Sequence, residues 1–294
     1  MTEINVDLKD EENKVNEEQG LSPEEIAGIE RAQQLGNVAN QASAFRVPTE
    51  FVPIPSFGLV YHPNSPLYNI KEIEVRFMTA ADEDILTSRS LLRSGKAIDA
   101  VLQSCIIDKR INAEELLSGD KNALITFLRV SGYGPDYKVE IDCPSCAETS
   151  KYEFDLSKLQ MKTLDIEPAA PGENRFQYQL PSGTDVEFKY LNSAEEKAIS
   201  DVQDKLKRST NSPIDRNVTT RLKNVIISVN GDNNPAMINQ FVDSLNVRDS
   251  RSLRKYVEDN TPDIDMSQDF ECPHCGHRGE VEVPISVGFF WPDE

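Results

Sequence analysis

Hydrophobic and polar positions divide the chain into segments of different character. Residues 1–20 contain almost no apolar residues and are rich in Asp, Glu, Asn and Lys, which is typical of a disordered acidic tail. The segment "LSPEEIAGIERAQQLG" then predicts one short helix, with Ser22 as N-cap, Pro23 at the first helical position and Gly36 at its end. Residues 37–70 contain five prolines. Because proline removes a donor and fixes φ, this composition predicts an extended arm rather than a packed element.

The extended arm carries several large apolar side chains that need a surface to cover them. They are Phe51, Ile54, Phe57, Leu59 and Tyr61. We favour packing on their own domain, and packing on a neighbouring subunit is the alternative.

From residue 71 the hydrophobic pattern occurs twice. "EVRFMTAADEDI" (74–85) resembles "EFKYLNSAEEKA" (187–198), and each is an alternating strand that runs into a helix start. Thr79 with Asp82, and Asn192 with Glu195, are the matching capping pairs. "QYQLPSGTDVEF" (177–188) predicts a hairpin with a Ser-Gly turn that leads into the second copy.

Two further pairs of segments match in the same order. "LQSCIID" (102–108) resembles "LKNVIIS" (222–228), and "DKNALITFL" (120–128) resembles "DSRSLRKYV" (249–257). The first match predicts two apolar helix faces at i, i+3, i+4, i+7, namely Ile98, Val101, Leu102 and Cys105, and Leu222, Val225, Ile226 and Val229. Cys105 therefore reads as a small core hydrophobe.

Four of the five cysteines of the chain also lie at matching positions in the repeat. "CPSC" and "CPHC" place Cys143, Cys146, Cys272 and Cys275 in two C-x-x-C turns, at the same offset as the preceding helix. Two such turns supply four soft anionic ligands, which suits a tetrahedral structural zinc. The sequence thus predicts one zinc site, with each copy contributing half of it.

Other uses of these cysteines stay open. Two disulfides are disfavoured for a cytosolic protein, and a redox C-x-x-C motif would occur once in a βαβ context. His274 and His277 lie beside the second turn and could replace a thiolate, although four cysteines make this unnecessary. A four-sulfur shell leaves no open position, so we expect a site that stabilises the fold.

These elements predict an α+β fold. It has two related, mostly helical lobes, each built from a strand or hairpin, helices and a cysteine turn. A split zinc ribbon joins the lobes, and a disordered acidic tail precedes them. The predicted divisions are 1–45 for the tail with one short helix, 46–70 for the proline-rich arm, 71–160 for the first lobe and 161–294 for the second.

Composition and charge narrow the function classes. The net charge of −19 disfavours broad nucleic-acid binding, and no stretch approaches the roughly 18 apolar residues of a membrane span. The N-terminus lacks a signal pattern, so we expect a reducing cytoplasm. The P-loop, G-x-G-x-x-G, G-x-S-x-G and H-E-x-x-H motifs do not occur in the sequence, so we expect no enzyme.

Several longer segments resemble one known family. "PSFGLVYHP" (55–63), "VRFMTAADEDILTSRSLL" (75–92), "INAEELLSGDKNALITFLRVSGYG" (111–134), "CPSC" and "VGFFWP" (287–292) are similar to the baseplate hub assembly proteins of T4-type contractile-tailed bacteriophages. The resemblance covers roughly residues 55–294. It implies a non-enzymatic protein that helps to build the baseplate hub through contacts with other hub or tail proteins. The location we expect is the host cytoplasm during assembly, and the resemblance leaves open whether the protein also stays in the baseplate of the virion tail.

Aromatic side chains are the best candidates for such contacts. We name Phe51, Ile54, Phe57 and Tyr61 in the arm, and Phe289, Phe290 and Trp291 near the C-terminus. For the C-terminal group we favour packing against the core of the second lobe, and contact with a partner is the alternative.

A different function class also stays open. The basic stretch "KLKRSTNSPIDRNVTTRLKN" (205–224) is the support for a phage-encoded zinc-ribbon regulator that binds nucleic acid or RNA polymerase. A solvated helix end and loop is the simpler interpretation of these charges.

Overall fold

The computed structural model describes residues 47–209, 217–283 and 287–290. The acidic tail, the helix predicted from Ser22 and the side chain of Trp291 lie outside this part of the chain. The strands are β1 Thr49–Pro53, β2 Glu72–Arg76, β3 Asp136–Asp142, β4 Thr149–Asp155, β5 Gln160–Lys162, β6 Phe176–Gln179, β7 Asp185–Phe188, β8 Ile226–Val229, β9 Asp263–Asp265, β10 Ser267–Glu271 and β11 Arg278–Glu282.

Helices form much of the remaining described chain. They are α1 Ala80–Thr87, α2 Arg89–Arg93, α3 Ala97–Cys105, α4 Ser118–Tyr133, α5 Ser193–Ser209, α6 Asn217–Val225, α7 Pro235–Ser244 and α8 Val247–Asn260, with short 3₁₀ turns at Ala113–Glu115, Leu156–Lys158 and Val287–Phe290. Helices thus combine with small antiparallel sheets, as the α+β prediction expects. In the described residues, no helix is both long enough and apolar enough to cross a membrane.

The proline-rich segment is a packed element, and the prediction of an extended arm is wrong for it. Strand β1 pairs antiparallel with β2, from Thr49 opposite Arg76 to Pro53 opposite Glu72. The following turns bury Ile54 and Leu67 in the main core. Pro48 precedes β1 and Pro53 is its last residue, and β1 has a neighbour on one side only, so both prolines lie where an edge strand tolerates them.

A buried polar cluster fixes this segment to the first turn of α4. Asp120 accepts hydrogen bonds from the backbone N–H of Ser56 at 2.9 Å, from the Ser56 hydroxyl at 2.6 Å and from the Tyr61 hydroxyl at 2.6 Å. The Tyr61 oxygen accepts in turn from the backbone N–H of Leu117 at 2.8 Å. The cluster therefore ties three segments together without leaving one of these donors unpaired.

Both predicted capping pairs are confirmed. Thr79 and Asp82 form a capping box at the start of α1. At the start of α5, the backbone N–H of Glu195 donates to the Asn192 side chain, and the backbone N–H of Asn192 donates to the Glu195 carboxylate. The hairpin predicted around the Ser-Gly turn is also present, since β6 pairs with β7 from Phe176 opposite Phe188.

One predicted helix face is wrong in its second half. Helix α6 ends at Val225, and Ile226–Val229 forms strand β8, which pairs with β7. Ile226 and Val229 are β-branched and lie opposite β7, so strand pairing prevails over the helical spacing. In the first half the chain also leaves the helix for strand pairing, but only one residue pairs. Helix α3 ends at Cys105, and Ile106 forms a single β-bridge with Val75 of β2.

Reciprocal contacts join the starts of α4 and α5. The backbone N–H of Ser118 donates to the Leu191 carbonyl, and that of Ser193 donates to the Leu116 carbonyl. Farther along the chain, β5 pairs with β9, with Met161 opposite Ile264. These contacts place both halves of Thr49–Glu294 in one compact unit with a common apolar core.

Candidate metal centre

Each cysteine turn closes a two-stranded antiparallel hairpin. Strands β3 and β4 pair from Asp136 opposite Asp155 to Asp142 opposite Thr149, and the first turn follows directly at Cys143. Strands β10 and β11 pair up to Glu271 opposite Arg278, and the second turn begins at Cys272. The strands beside both cysteine turns have alternating apolar and polar residues, as the sequence predicts.

The two turns share one backbone conformation. The N–H of Cys143 donates to the Glu148 carbonyl, and the N–H of Ala147 donates back to the Cys143 carbonyl. In the second turn Cys272 pairs with His277 and Gly276 in the same way. The fifth residue of each turn is left-handed, with φ of 57° at Ala147 and 72° at Gly276. Such a turn directs both sulfurs of a C-x-x-C pair to the same side.

The four sulfurs meet across the two hairpins. The Sγ atoms of Cys143 and Cys275 are 3.7 Å apart, as are those of Cys146 and Cys272, and all four lie within 4.8 Å of one another. A tetrahedron with Zn–S bonds of about 2.3 Å has edges of about 3.8 Å. A disulfide requires about 2.05 Å, so these thiols are not bonded to each other. The geometry therefore fits a four-sulfur metal site.

A small apolar cluster supports the site from one side. Cys143, Cys272 and Phe270 are buried together, and the Tyr152 ring lies 5.0 Å from the Phe270 ring. The Tyr152 hydroxyl donates to the Glu271 carbonyl at 3.1 Å. Because Tyr152 belongs to β4 while Phe270 and Glu271 belong to β10, these contacts hold the two hairpins together beside the thiols.

The thiols influence each other's protonation. Burial raises the pKa of Cys143, but the backbone N–H groups of Cys146 and Ser145 and the neighbouring thiols outweigh it, and the pKa is lowered to about 6. The backbone N–H of Glu148 lowers the pKa of Cys146, but burial and the three other cysteines raise it to about 12. Four adjacent thiols cannot all ionise without a compensating charge, and a divalent cation supplies one.

The residues predicted to contact a partner differ in their exposure to solvent. Ile54 and Tyr61 are buried, as are Phe289 and Phe290, so these four are core residues and the prediction that they contact a partner needs correction. Their apolar surface is already covered by the chain itself, as favoured for the arm. The expected cover for the C-terminal aromatics was the second lobe, but the Phe289 ring lies 5.1 Å from the Tyr137 ring, so this turn packs on the first lobe. Phe57 is half-buried, and Phe51 remains 57% exposed.

A buried arginine holds the C-terminal turn in place. The guanidinium of Arg129 donates to the carbonyls of Phe289 at 2.8 Å, Gly134 at 2.6 Å and Asp136 at 2.8 Å. Burial lowers its pKa from the ordinary value, although the nearby Tyr137 raises it. Sequence reasoning missed this residue, since an arginine in a helix is ordinarily a surface residue and the helical spacing alone does not show that three carbonyls converge on it.

Comparison with known proteins identifies one family. A family model described as T4 bacteriophage base plate protein matches residues 64–291, which includes both cysteine turns and most of the chain. No curated protein and no solved structure matches the chain significantly. The chain therefore belongs to the T4 bacteriophage base plate protein family and is a phage baseplate structural protein.

Proposed function

We propose that the protein is a non-enzymatic subunit of the baseplate hub whose fold is stabilised by one structural zinc ion. The observation that carries the zinc assignment is the approach of four thiols from two hairpins to within 4.8 Å. Membership of the baseplate family supports the structural role. The hub is the more specific assignment, and the similarity of the sequence segments to hub assembly proteins supports it.

Cys143, Cys146, Cys272 and Cys275 would be the four ligands. Soft thiolates in tetrahedral geometry favour Zn²⁺ over harder cations, and a closed shell of four sulfurs gives a site without an open position for substrate. The ion would neutralise the thiolates and fasten β3–β4 to β10–β11. An isolated two-stranded hairpin is only marginally stable in water, so a metal cross-link between the two hairpins would contribute much of their folding free energy.

The proposed architecture comprises two related lobes, 71–160 and 161–294, with 46–70 and 1–45 as the preceding segments. Equivalent pairings support it: Val75 bridges Ile106 in the first half, and Phe188 lies opposite Ile226 in the second. Because the 46–70 segment supplies β1 to the β1–β2 sheet, its apolar residues belong structurally with the first lobe.

The partners we propose are other baseplate hub or tail proteins, met in the host cytoplasm during assembly and kept in the baseplate of the virion tail. Phe51 is the aromatic side chain best placed to contact them, since it is exposed on β1. Phe57 is half-buried and offers less surface. Large exposed aromatics often anchor protein interfaces.

Co-purification from infected cells, with zinc measured per chain, tests the proposal. We expect baseplate proteins to co-purify and about one zinc per chain. Cys272→Ser should lower the zinc content, while Cys105→Ala, which changes a cysteine outside the cluster, should not. Recovery without any tail protein would contradict the partner assignment, and a zinc-free folded chain would contradict the metal assignment.

The regulator alternative has its own test. Residues 210–216 of the basic stretch lie outside the described residues, while Arg221 within it is already paired with Glu196. A filter-binding assay at low salt should show no retention of nucleic acid. Retention that falls with added salt would favour the regulator.

A further inference from the structure

Helix α8 presents an unusual row of cations for so acidic a chain. Arg248, Arg251 and Arg254 are all exposed, and they recur every three residues along one side of the helix. We call these three residues the arginine face. Among the described residues, none of the three makes an ion pair within 4.0 Å, whereas the neighbouring Lys255 lies 3.9 Å from Asp259.

Several charges of α8 do not stabilise the helix itself. Arg248 lies in the first turn, where the helix dipole disfavours a cation, and Glu258 and Asp259 lie near the end, where it disfavours an anion. Arg251 and Lys255 are also like charges at i and i+4. Arg248 is attracted to the adjacent Asp249, but among the described residues none of the three arginines forms an ion pair within 4.0 Å, so the arginine face remains available to something outside the chain.

A complementary surface exists on the same molecule. On the outer side of the β10–β11 hairpin, Asp269 lies directly opposite Glu280, and both are exposed. Glu271 follows on the same side, where it pairs with Arg278. We call Asp269, Glu271 and Glu280 the acidic face. Like charges in directly opposed positions repel each other, and Arg278 beside this pair is paired with Glu271.

The spacings of the two faces agree. Helix residues at i and i+3 have Cβ atoms about 5–6 Å apart. Opposed strand residues have Cβ atoms about 4.5–5.5 Å apart. Two neighbouring arginines can therefore each meet one carboxylate of the Asp269–Glu280 pair. Within one chain, no ion pair joins the two faces among the described residues.

We propose that the arginine face of α8 binds the acidic face of β10–β11 on a second copy of this chain. The contact is head-to-tail, because each copy uses a different surface, and it leaves one free face at each end for further copies. Val247, which is 82% exposed at the start of α8, adds apolar contact beside the arginines. This inference concerns self-association and does not depend on which tail proteins the chain meets.

Sedimentation of the purified full chain tests the proposal. We expect association at about 0.05 M salt and its loss at about 0.5 M, because screening weakens contacts between exposed charges. The triple variant Arg248→Glu, Arg251→Glu, Arg254→Glu should be monomeric at both salt concentrations, as should Asp269→Lys, Glu280→Lys. The matched control Lys71→Glu, Arg89→Glu, Lys96→Glu changes the net charge equally at exposed positions and should still associate.

Mixing the two reversed variants distinguishes a specific contact from a general charge effect. Each variant alone opposes like charges. In the mixture, the arginine face of the lysine variant can meet the intact acidic face of the glutamate variant, and the introduced glutamates can meet the introduced lysines, so association should be restored. Far-UV circular dichroism and melting of each variant show that its fold is intact. A wild-type chain that stays monomeric at low salt overturns the proposal, as does a mixture that fails to associate. Retention of nucleic acid by a monomeric wild type, lost on arginine reversal, also overturns it and assigns the arginine face to nucleic acid.

Discussion

The backbone N–H of Ser182 donates a hydrogen bond of 3.2 Å to the carboxylate of Asp249. The same contact occurs in the first half, where the N–H of Ser56 donates to Asp120 at 2.9 Å. Both serines follow a proline, in "IPS" and "LPS", and both aspartates lie in the first turn of a helix. The connection between two paired antiparallel strands thus anchors a helix N-terminus in each half, where a carboxylate also suits the helix dipole.

Removing the two aspartates should have unequal effects. Asp120→Ala leaves the Ser56 and Tyr61 donors buried without an acceptor, so we expect a loss of about 3 kcal/mol in the free energy of unfolding. Asp249→Ala should cost about 1 kcal/mol, because the exposed Ser182 N–H can bind water instead. Urea unfolding of both variants measures this difference. Equal losses would show that burial of the donors does not set the cost.

The pairing of Asp82 with Arg76 predicts acid sensitivity. Burial raises the pKa of Asp82, but hydrogen bonds from Arg76 and Thr79 outweigh it and hold the pKa well below the ordinary 3.8. The folded state therefore favours the ionised form. The resulting stability is complete above about pH 4 and is lost as pH falls through the folded pKa.

Asp82→Asn tests this dependence. We expect a loss of about 2 kcal/mol at neutral pH and a flatter stability curve below about pH 4, because the group that titrates is gone. Arg76→Met should flatten the curve in the same region, since it removes the partner at 2.6 Å. Unfolding free energies measured across the acid range provide the comparison. An unchanged slope in both variants would assign the acid sensitivity to other groups.

The left-handed residues of the cysteine turns predict a pair of opposite effects. Gly276 has a φ of 72° and open space around its Cβ position, so Gly276→Ala should cost about 1 kcal/mol through backbone strain alone. Ala147 already has this strain at a φ of 57°, so Ala147→Gly should stabilise the fold by up to about 1 kcal/mol. Thermal melting of the metal-loaded chain reads out both. The same sign for both substitutions would contradict the explanation.

Metal removal should loosen the ribbon. A structural zinc site is worth on the order of 10 kcal/mol in folding, so a strong chelator should lower the melting temperature of the wild-type chain markedly. Cys272→Ser should melt at a lower temperature and respond less to the chelator. Cys105→Ala is the control, and it should keep the chelator response even though it opens a small cavity in the core. A wild-type chain that is indifferent to the chelator would argue against the site.

At position 129 we expect that a positive charge alone does not maintain the stability of the fold. Arg129→Lys keeps the cation, but one ammonium cannot reproduce a planar fork that reaches three carbonyls. We expect a loss of about 2 kcal/mol in the free energy of unfolding, because buried carbonyls lose their donors. Arg129→Met tests whether the charge itself is costly there. A lysine variant as stable as wild type would reduce Arg129 to a packing role.

Local chemistry accounts for what could be read from the sequence by itself. The C-x-x-C turns, the capping pairs at Thr79 and Asn192 and the hairpin at the Ser-Gly turn were all predicted correctly, because neighbours within a few residues determine each of them. The approach of the four cysteines was also foreseen. A thiolate pair cannot complete a tetrahedral site alone, so two pairs in one chain predict a meeting point.

Only the tertiary structure decided the features that depend on distant partners. Strand β1 forms because β2 lies beside it, and Ile226–Val229 leaves the helical pattern because β7 offers hydrogen bonds. Arg129 is buried because carbonyls from its own helix end, the ribbon and the C-terminal turn converge there. Hydrophobic periodicity states which side chains need cover, but the covering element lies elsewhere in the chain, so local spacing cannot identify it.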